Sequence, residues 1–306
     1  MRYMSIVAAL FMVLFFNSCG QTTEAPISAS DSPYFSSSDR IVIIDGVGLR
    51  VRDEGPQDAR TLVLVHGFTS SLETWDALAN DLKKDYRVIR LDLPGHGLTG
   101  PDPKERYSNE DTVLILQKLI NKLELENPVL VGNSLGGLVS WRAATENLEN
   151  VSGLVLIAPS GFSINGVTEQ PQKVPAMVKI YLTKAPAAGV KQATRALFAD
   201  PEKLPDQRIQ DITYMMQRPG NGEAFVKRAE SFTLPDPVQD IGKVKAPTLI
   251  VWGDRDVMVP SAHGQKFLEA MTSAELLVYE NTGHVPQEEK PRKLALDIRA
   301  FLSKQD

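Results

Sequence analysis

Residues 132–137, with the sequence Gly-Asn-Ser-Leu-Gly-Gly, place a serine where a predicted strand meets a predicted helix. Residues 128–131 are apolar and typical of a buried strand, and residues 138–148 are typical of a helix. Glycines two residues before and two after the serine let the strand and the helix approach without side-chain clash. A serine in such a sharp turn has a strained backbone and projects its hydroxyl from the tip. The pattern therefore predicts that Ser134 is a nucleophile.

Ser134 needs a base, and the sequence offers few candidates. A serine hydroxyl is a poor nucleophile until a base takes its proton, and the base needs a carboxylate that fixes its tautomer. The chain has four histidines. His66 and His96 each lie in a loop after a predicted strand, His263 begins a predicted helix and is expected at the surface, and His284 follows the last predicted strand.

Two carboxylates could be the partner of that base. Asp254 and Asp256 lie in the loop that follows the predicted strand at residues 248–252. Because both stand on one short loop, spacing alone does not decide between them.

These residues need a framework that brings the ends of separate strands together. After a predicted hairpin at residues 40–44 and 49–53, short apolar runs of the buried-strand type alternate with helical patterns. The further predicted strands are residues 61–65, 86–91, 128–131, 152–158, 248–252 and 275–279, and the helices are residues 72–82, 112–123, 138–148, 262–271 and 292–302. This alternation predicts an α/β fold, a mostly parallel sheet with helices on both faces.

The alternation stops between residues 161 and 242, where prolines are frequent and buried strand patterns are absent. Three short helices are predicted there, at residues 176–182, 187–198 and 206–217. The segment keeps many large apolar side chains, which argues against a disordered insert. We therefore predict a helical cap at residues 161–242, inserted into a core formed by residues 40–160 and 243–306.

Five motifs of this chain, in this order, resemble those of the α/β-hydrolase superfamily. They are His-Gly-Phe at residues 66–68, Asp-Leu-Pro-Gly-His-Gly at 92–97, the serine motif at 132–137, Trp-Gly-Asp-Arg-Asp-Val-Met-Val-Pro at 252–260 and Gly-His at 283–284. The resemblance covers residues 41–301, apart from much of the cap, and the joint occurrence of the motifs makes it specific. It implies the α/β-hydrolase fold.

The resemblance also implies a role for each candidate. The chain order Ser, acid, His in α/β-hydrolases implies that His284 is the base. In the family the acid usually stands three residues after the Gly and four before the Pro, which is Asp256, so Asp254 would only structure its loop. The N–H of Leu135, at the helix start, and, by resemblance, the N–H of Phe68 would bind the developing oxyanion.

The identity of residue 134 separates related enzyme classes. Haloalkane dehalogenases and epoxide hydrolases resemble this chain but use an aspartate as nucleophile, so Ser134 disfavours both. Bacterial esterases and lipases have a similar cap and elbow, which implies that the chain hydrolyses a small-molecule carboxylic ester. Meta-cleavage-product hydrolases, which cut C–C bonds, have a similar elbow and a cap arginine where this chain has Arg208, but they often have Trp where it has Val285.

The cap is expected to set selectivity for the acyl or alcohol group. The candidate substrate-binding residues are Asn133 in the serine motif and three residues of the cap, namely Phe198, Arg208 and Met215. A third interpretation, from a different class, is a binding protein that keeps the hydrolase scaffold but hardly turns over.

The N-terminus carries a targeting pattern. Arg2 precedes an apolar run at residues 4–16, which is shorter than the about 20 residues that span a bilayer and is typical of a signal peptide. The run leads to Cys19, the only cysteine, in a context that resembles a bacterial lipoprotein signal, although Phe16 replaces the usual Leu. We therefore predict a signal peptide at residues 1–18, lipidation of Cys19, a flexible tether at residues 19–39 and membrane attachment in the bacterial cell envelope. A plain secretory signal is the alternative.

Composition excludes other classes. The formal net charge is −5, and no run of Lys and Arg is present, so a nucleic-acid partner is not expected. The sequence has no P-loop, no dinucleotide glycine fingerprint and no Cys/His cluster of the zinc type. We therefore expect no cofactor and no metal site.

Overall fold

The computed structural model describes residues 29–146 and 151–305. Within them, eight strands form one sheet in the order β1-β2-β4-β3-β5-β6-β7-β8. The strands are β1 Asp39–Ile44, β2 Val47–Glu54, β3 Thr61–Val65, β4 Arg87–Leu91, β5 Val129–Asn133, β6 Gly153–Ile157, β7 Thr248–Gly253 and β8 Ala274–Tyr279. The β1–β2 and β2–β4 pairs are antiparallel, and all the other neighbours are parallel.

Helices follow most of the strands. They are α1 Asp76–Leu82, α2 Asn109–Lys122, α3 Leu135–Glu146, α4 Ala176–Lys184, α5 Ala187–Arg195, α6 Asp206–Gln217, α7 Asn221–Ser231, α8 Val238–Ile241, α9 Ala262–Ala270, α10 Pro286–Glu289 and α11 Pro291–Leu302. Short 3₁₀ helices occur at Ala29–Asp31, Leu72–Trp75 and Pro201–Lys203.

The central strands are buried on both faces. Every residue of β3, β5, β6 and β7 is buried. Successive residues of β3 enter different apolar clusters. Val63 belongs to a cluster that includes residues of α2, α3 and α9, whereas Leu62 belongs to one that includes residues of α1 and α11. A strand that has helices on both faces needs a continuous apolar run, which is why these strands are readable in the sequence. The predicted α/β class and mostly parallel sheet are confirmed.

Helices α4 to α8 lie in the segment between β6 and β7, where the cap is predicted. Three of the helices match the prediction in position; the four-residue helix α8 is missing from it, and so is α7. Gly220 in a left-handed conformation and the Gly at position 222 give this stretch the composition of a loop. Gly222 is a packing residue, because a Cβ there would lie 2.6 Å from the Cα of Thr183 in α4.

Residues 29–38, the second part of the predicted tether, pack against the folded domain. The carbonyl of Tyr34 accepts hydrogen bonds from Arg50 and Arg52, and its hydroxyl donates to Asp211 of α6 at 2.7 Å. The rings of Tyr34 and Tyr214 are 4.9 Å apart. Residues 29–38 therefore pack on core and cap, and β1 already begins at Asp39. A composition rich in Ser and Pro indicates a tether but does not show these long-range partners.

The predicted signal peptide and Cys19 lie outside the described residues. Within the described ranges, no helix is both long and apolar enough to cross a membrane.

Candidate active site

Ser134 stands at the turn between β5 and α3, in the left-handed region with φ of +55°. Its N–H donates to the carbonyl of Ile157 at 3.0 Å, and its carbonyl accepts from the N–H of Ser160 at 3.0 Å. A Cβ on Gly132 would lie 2.3 Å from the carbonyl oxygen of Gly136, and a Cβ on Gly136 would lie 1.9 Å from that of Val65. Both glycines are therefore required by close backbone approach, as the sequence predicts.

Asp256 and His284 meet although 28 positions separate them in the chain. Asp256 follows β7, and its Oδ2 lies 2.8 Å from Nδ1 of His284. Its other oxygen, Oδ1, accepts the N–H groups of Met258 at 2.8 Å and Val259 at 3.0 Å. The carboxylate is fully shielded from solvent. Because a carboxylate only accepts, Nδ1 carries the proton, and in the neutral imidazole Nε2 then keeps its lone pair.

Asp254 makes a different contact. It is exposed, and its Oδ1 accepts the N–H of Thr282 at 3.2 Å, while its own N–H donates to the carbonyl of Tyr279 at 3.0 Å. The side chain therefore joins the loop after β7 to the loop after β8. This contact agrees with the loop-structuring role implied for Asp254.

Asn133 connects the serine turn to the histidine loop, which we define as residues 280–285. Its Nδ2 donates to the carbonyls of His284 and Ile157, both at 3.1 Å. Both amide hydrogens are thereby committed to backbone groups. Asn133 is predicted as a substrate-binding residue, whereas these contacts give its amide nitrogen a positioning role. Through this side chain, the residue that precedes Ser134 is joined to the backbone of His284.

The loop after β3 passes beside the serine. A Cβ on Gly67 would lie 3.3 Å from the Cβ of Ser134. Phe68 follows at this point, and its ring packs edge-on against Phe225 of α7 with centroids 5.7 Å apart. Leu135 is the first residue of α3, so its N–H belongs to the positive end of the helix. Of the two predicted oxyanion donors, Leu135 directly follows Ser134 in the chain, and Phe68 follows the glycine that passes beside it.

The other histidines of the core loops are fixed in neutral forms. The N–H of Leu93 donates to Nε2 of His66 at 3.0 Å, so Nδ1 carries the proton and donates to the carbonyl of Gly67 at 2.8 Å. Burial lowers the pKa of His66 to about 4. Burial likewise lowers the pKa of His96 well below its ordinary value, and its Nδ1 contacts the carbonyl of Pro94 at 3.1 Å. These rings hold loops together and stay uncharged at neutral pH.

His263 is not a surface residue, and that prediction is wrong. It is only 6% exposed, and its ring packs against Phe162 with centroids 5.5 Å apart. Burial lowers its pKa. A position at the start of a helix does not fix which face of the helix the residue occupies.

The predicted cap residues lie in different surroundings. Arg208 of α6 makes a two-pronged ion pair with Glu288 of α10, both hydrogen bonds measuring 2.9 Å. Phe198 is buried in a small cluster with Val285, the neighbour of His284. Met215 is buried in α6. Of the three, Phe198 therefore lies next to the histidine loop, and Arg208 binds the helix that follows it.

Comparison with known proteins identifies the family. The model of the alpha/beta hydrolase family matches residues 62–297, which is more than half of the chain. The chain belongs to the α/β-hydrolase family. A curated relative, the dihydrolipoyllysine-residue acetyltransferase component of the acetoin cleaving system of Pseudomonas putida, is 32% identical to this hydrolase over 266 residues. The match covers 85% of this chain and 68% of the relative.

Solved structures share the fold of this hydrolase. A membrane phospholipase A, described as a bacterial virulence factor, has a TM-score of 0.75 and 23% identity, with 88% of this chain and 86% of the other covered. A meta-cleavage product hydrolase also has a TM-score of 0.75 and 23% identity, with 87% and 98% covered. At such identities the likeness shows the fold alone.

Proposed function

We propose that this hydrolase cleaves carboxylic esters of small molecules through an acyl-enzyme. Ser134 is the nucleophile, His284 is the base, and Asp256 is the carboxylate that orients the histidine. The single observation that carries the proposal is the 2.8 Å contact between a shielded Asp256 carboxylate and Nδ1 of His284. That contact leaves Nε2 of the imidazole able to accept a proton, which is the state a serine nucleophile requires.

In the proposed reaction, Ser134 Oγ attacks the ester carbonyl carbon while His284 Nε2 takes the hydroxyl proton. The carbonyl oxygen becomes an oxyanion, which accepts hydrogen bonds from the N–H groups of Leu135 and Phe68. Collapse of the tetrahedral intermediate breaks the ester C–O bond, and His284 returns the proton to the leaving alcohol. Water, deprotonated by the same histidine, then hydrolyses the acyl-enzyme to the carboxylic acid and free serine.

Two observations favour an ester over the C–C bond of a dienone acid. Nε and Nη2 of Arg208 both donate to the carboxylate of Glu288, so the charge of this cap arginine is already neutralised by the protein itself. Val285 follows the histidine, where meta-cleavage-product hydrolases often have Trp. One observation favours the alternative: Nη1 of Arg208 is buried without a hydrogen-bond partner among the described residues, and it could receive a substrate carboxylate.

A substrate panel tests the proposal. We expect a fluorophosphonate to label Ser134 and nitrophenyl esters to be hydrolysed, with the rate depending on acyl length. A 2-hydroxy-6-oxo-dienoate, followed by the loss of its visible absorbance, should be cleaved far more slowly. Faster cleavage of the dienoate would instead identify a C–C hydrolase. A folded protein that binds esters, but is neither labelled nor turns them over, would be a ligand-binding protein.

We further propose that Cys19 is lipidated and holds the enzyme to a membrane of the bacterial cell envelope. Cys19→Ser is then expected to move the protein from the membrane fraction to the soluble periplasmic or culture fraction, because a lipid attached to the cysteine would be lost. Cell fractionation with immunoblotting measures this. If the variant stays with membranes after a high-salt wash although its signal peptide has been removed, another surface holds it, and the anchor proposal is wrong.

A further inference from the structure

The histidine loop is held from the side of the cap. The N–H of His284 donates to the carbonyl of Leu197 at 2.7 Å, and Leu197 lies in the cap between α5 and the 3₁₀ helix at Pro201–Lys203. A Cβ on Gly283 would lie 2.3 Å from that same carbonyl oxygen. The histidine loop and the cap segment therefore approach each other so closely that only glycine fits at position 283.

One carboxylate binds the backbone of both segments, the histidine loop and the cap. Glu289 Oε1 accepts the N–H of Gly283 at 2.6 Å, and Glu289 Oε2 accepts the N–H of Ala199 at 3.0 Å. A single side chain from α10 thus satisfies backbone donors of the histidine loop and of the cap at once. Hydrogen bonds from N–H groups to an ionised carboxylate are stronger and shorter than neutral ones.

We infer that Glu289 is a positioning residue, which fixes His284 by clamping the Gly283 backbone to the cap residue Ala199. The inference rests on the proposed function, because it assigns Glu289 an effect on the reaction that His284 carries out. It also makes the cap part of the catalytic framework: the histidine is held by Asp256 at its ring, by Asn133 at its carbonyl and by the cap at its N–H. Displacement of the cap would therefore move the base.

Kinetics of Glu289 variants test this inference. Glu289→Ala should lower kcat for a nitrophenyl ester by about 10²-fold, the size of effect that a misplacement of about 1 Å produces, while KM changes far less. Glu289→Gln should lose less, since its carbonyl oxygen still accepts one N–H. Rates are expressed per active site titrated with fluorophosphonate, so a loss of folded protein does not count as a loss of kcat. Glu280→Gln, which changes an exposed carboxylate of the histidine loop, is the matched control and should match wild type.

A second measurement is independent of turnover. We expect the proton on Nδ1 of His284, which faces Asp256, to give a low-field NMR signal, and His284→Gln would identify that signal by its disappearance. Glu289→Ala should shift or broaden this signal. If kcat and the signal both match wild type in a folded Glu289→Ala protein, the inference is overturned. If wild type hydrolyses no ester, the proposed function fails, and the NMR signal alone then decides the role of Glu289.

Discussion

Replacing Ser134 with alanine is expected to abolish ester turnover, with a loss of about 10⁶-fold in kcat, the scale seen when the serine of other triads is removed. The loss follows because no other group can form the acyl-enzyme at this position. The fold should persist, since the turn is held by backbone bonds to Ile157 and Ser160 that alanine retains. Stopped assays with a nitrophenyl ester measure turnover, and denaturant unfolding should give a free energy within about 1 kcal/mol of wild type.

Ser140→Ala is the matched control for that experiment. Ser140 is fully buried in α3, and its hydroxyl donates to the carbonyl of Gly136 at 2.7 Å. Its loss removes a local hydrogen bond but no proposed catalytic group, so turnover should stay close to wild type. If the Ser134→Ala protein kept more than about a tenth of the activity in a preparation free of wild-type enzyme, the nucleophile would have to be sought elsewhere.

The sheet was predictable because its strands are covered on both faces. Burial on two sides requires runs such as residues 61–65 and 248–252, in which every position is apolar or small, and such runs stand out from the surrounding sequence. Helix α7 was not predictable in the same way. Gly222 serves close packing on α4, yet together with Gly220, which precedes the helix, it has the local signature of a turn.

The candidate site likewise has features that the sequence predicts and features that it does not. The serine turn is encoded locally, because Gly132 and Gly136 are required by backbone contacts within the motif and with β3. The choice of Asp256 over Asp254 came from family resemblance, since nothing in the local spacing decides it. The sequence does not predict the clamp at Glu289, because Glu288 and Glu289 are neighbours of the same type. Only the fold shows that they bind different partners. Long-range contacts of this kind leave no periodic signal.

Asp256→Asn is expected to lower turnover by about 10⁴-fold, the effect of the same exchange in another triad. The geometry gives the reason. Oδ1 of Asp256 accepts two N–H groups, from Met258 and Val259, so an asparagine would keep its carbonyl oxygen there and turn its amide nitrogen toward His284. That nitrogen donates to Nδ1, which forces the imidazole proton onto Nε2. The ring then offers Ser134 a donor instead of a base, and the imidazolium loses its buried counter-charge.

Asp254→Asn distinguishes this mechanism from a general effect of charge in the loop. Asp254 is exposed, and its oxygen accepts one backbone N–H, from Thr282, a bond that an asparagine carbonyl can also accept. The two variants remove the same charge two positions apart, but only Asp256 touches the imidazole. Turnover of Asp254→Asn should therefore stay near that of wild type, with any cost appearing as lower stability in thermal unfolding. If Asp254→Asn were the more damaging to kcat in a folded protein, the acid would be Asp254, and the contact between Asp256 and His284 would be only structural.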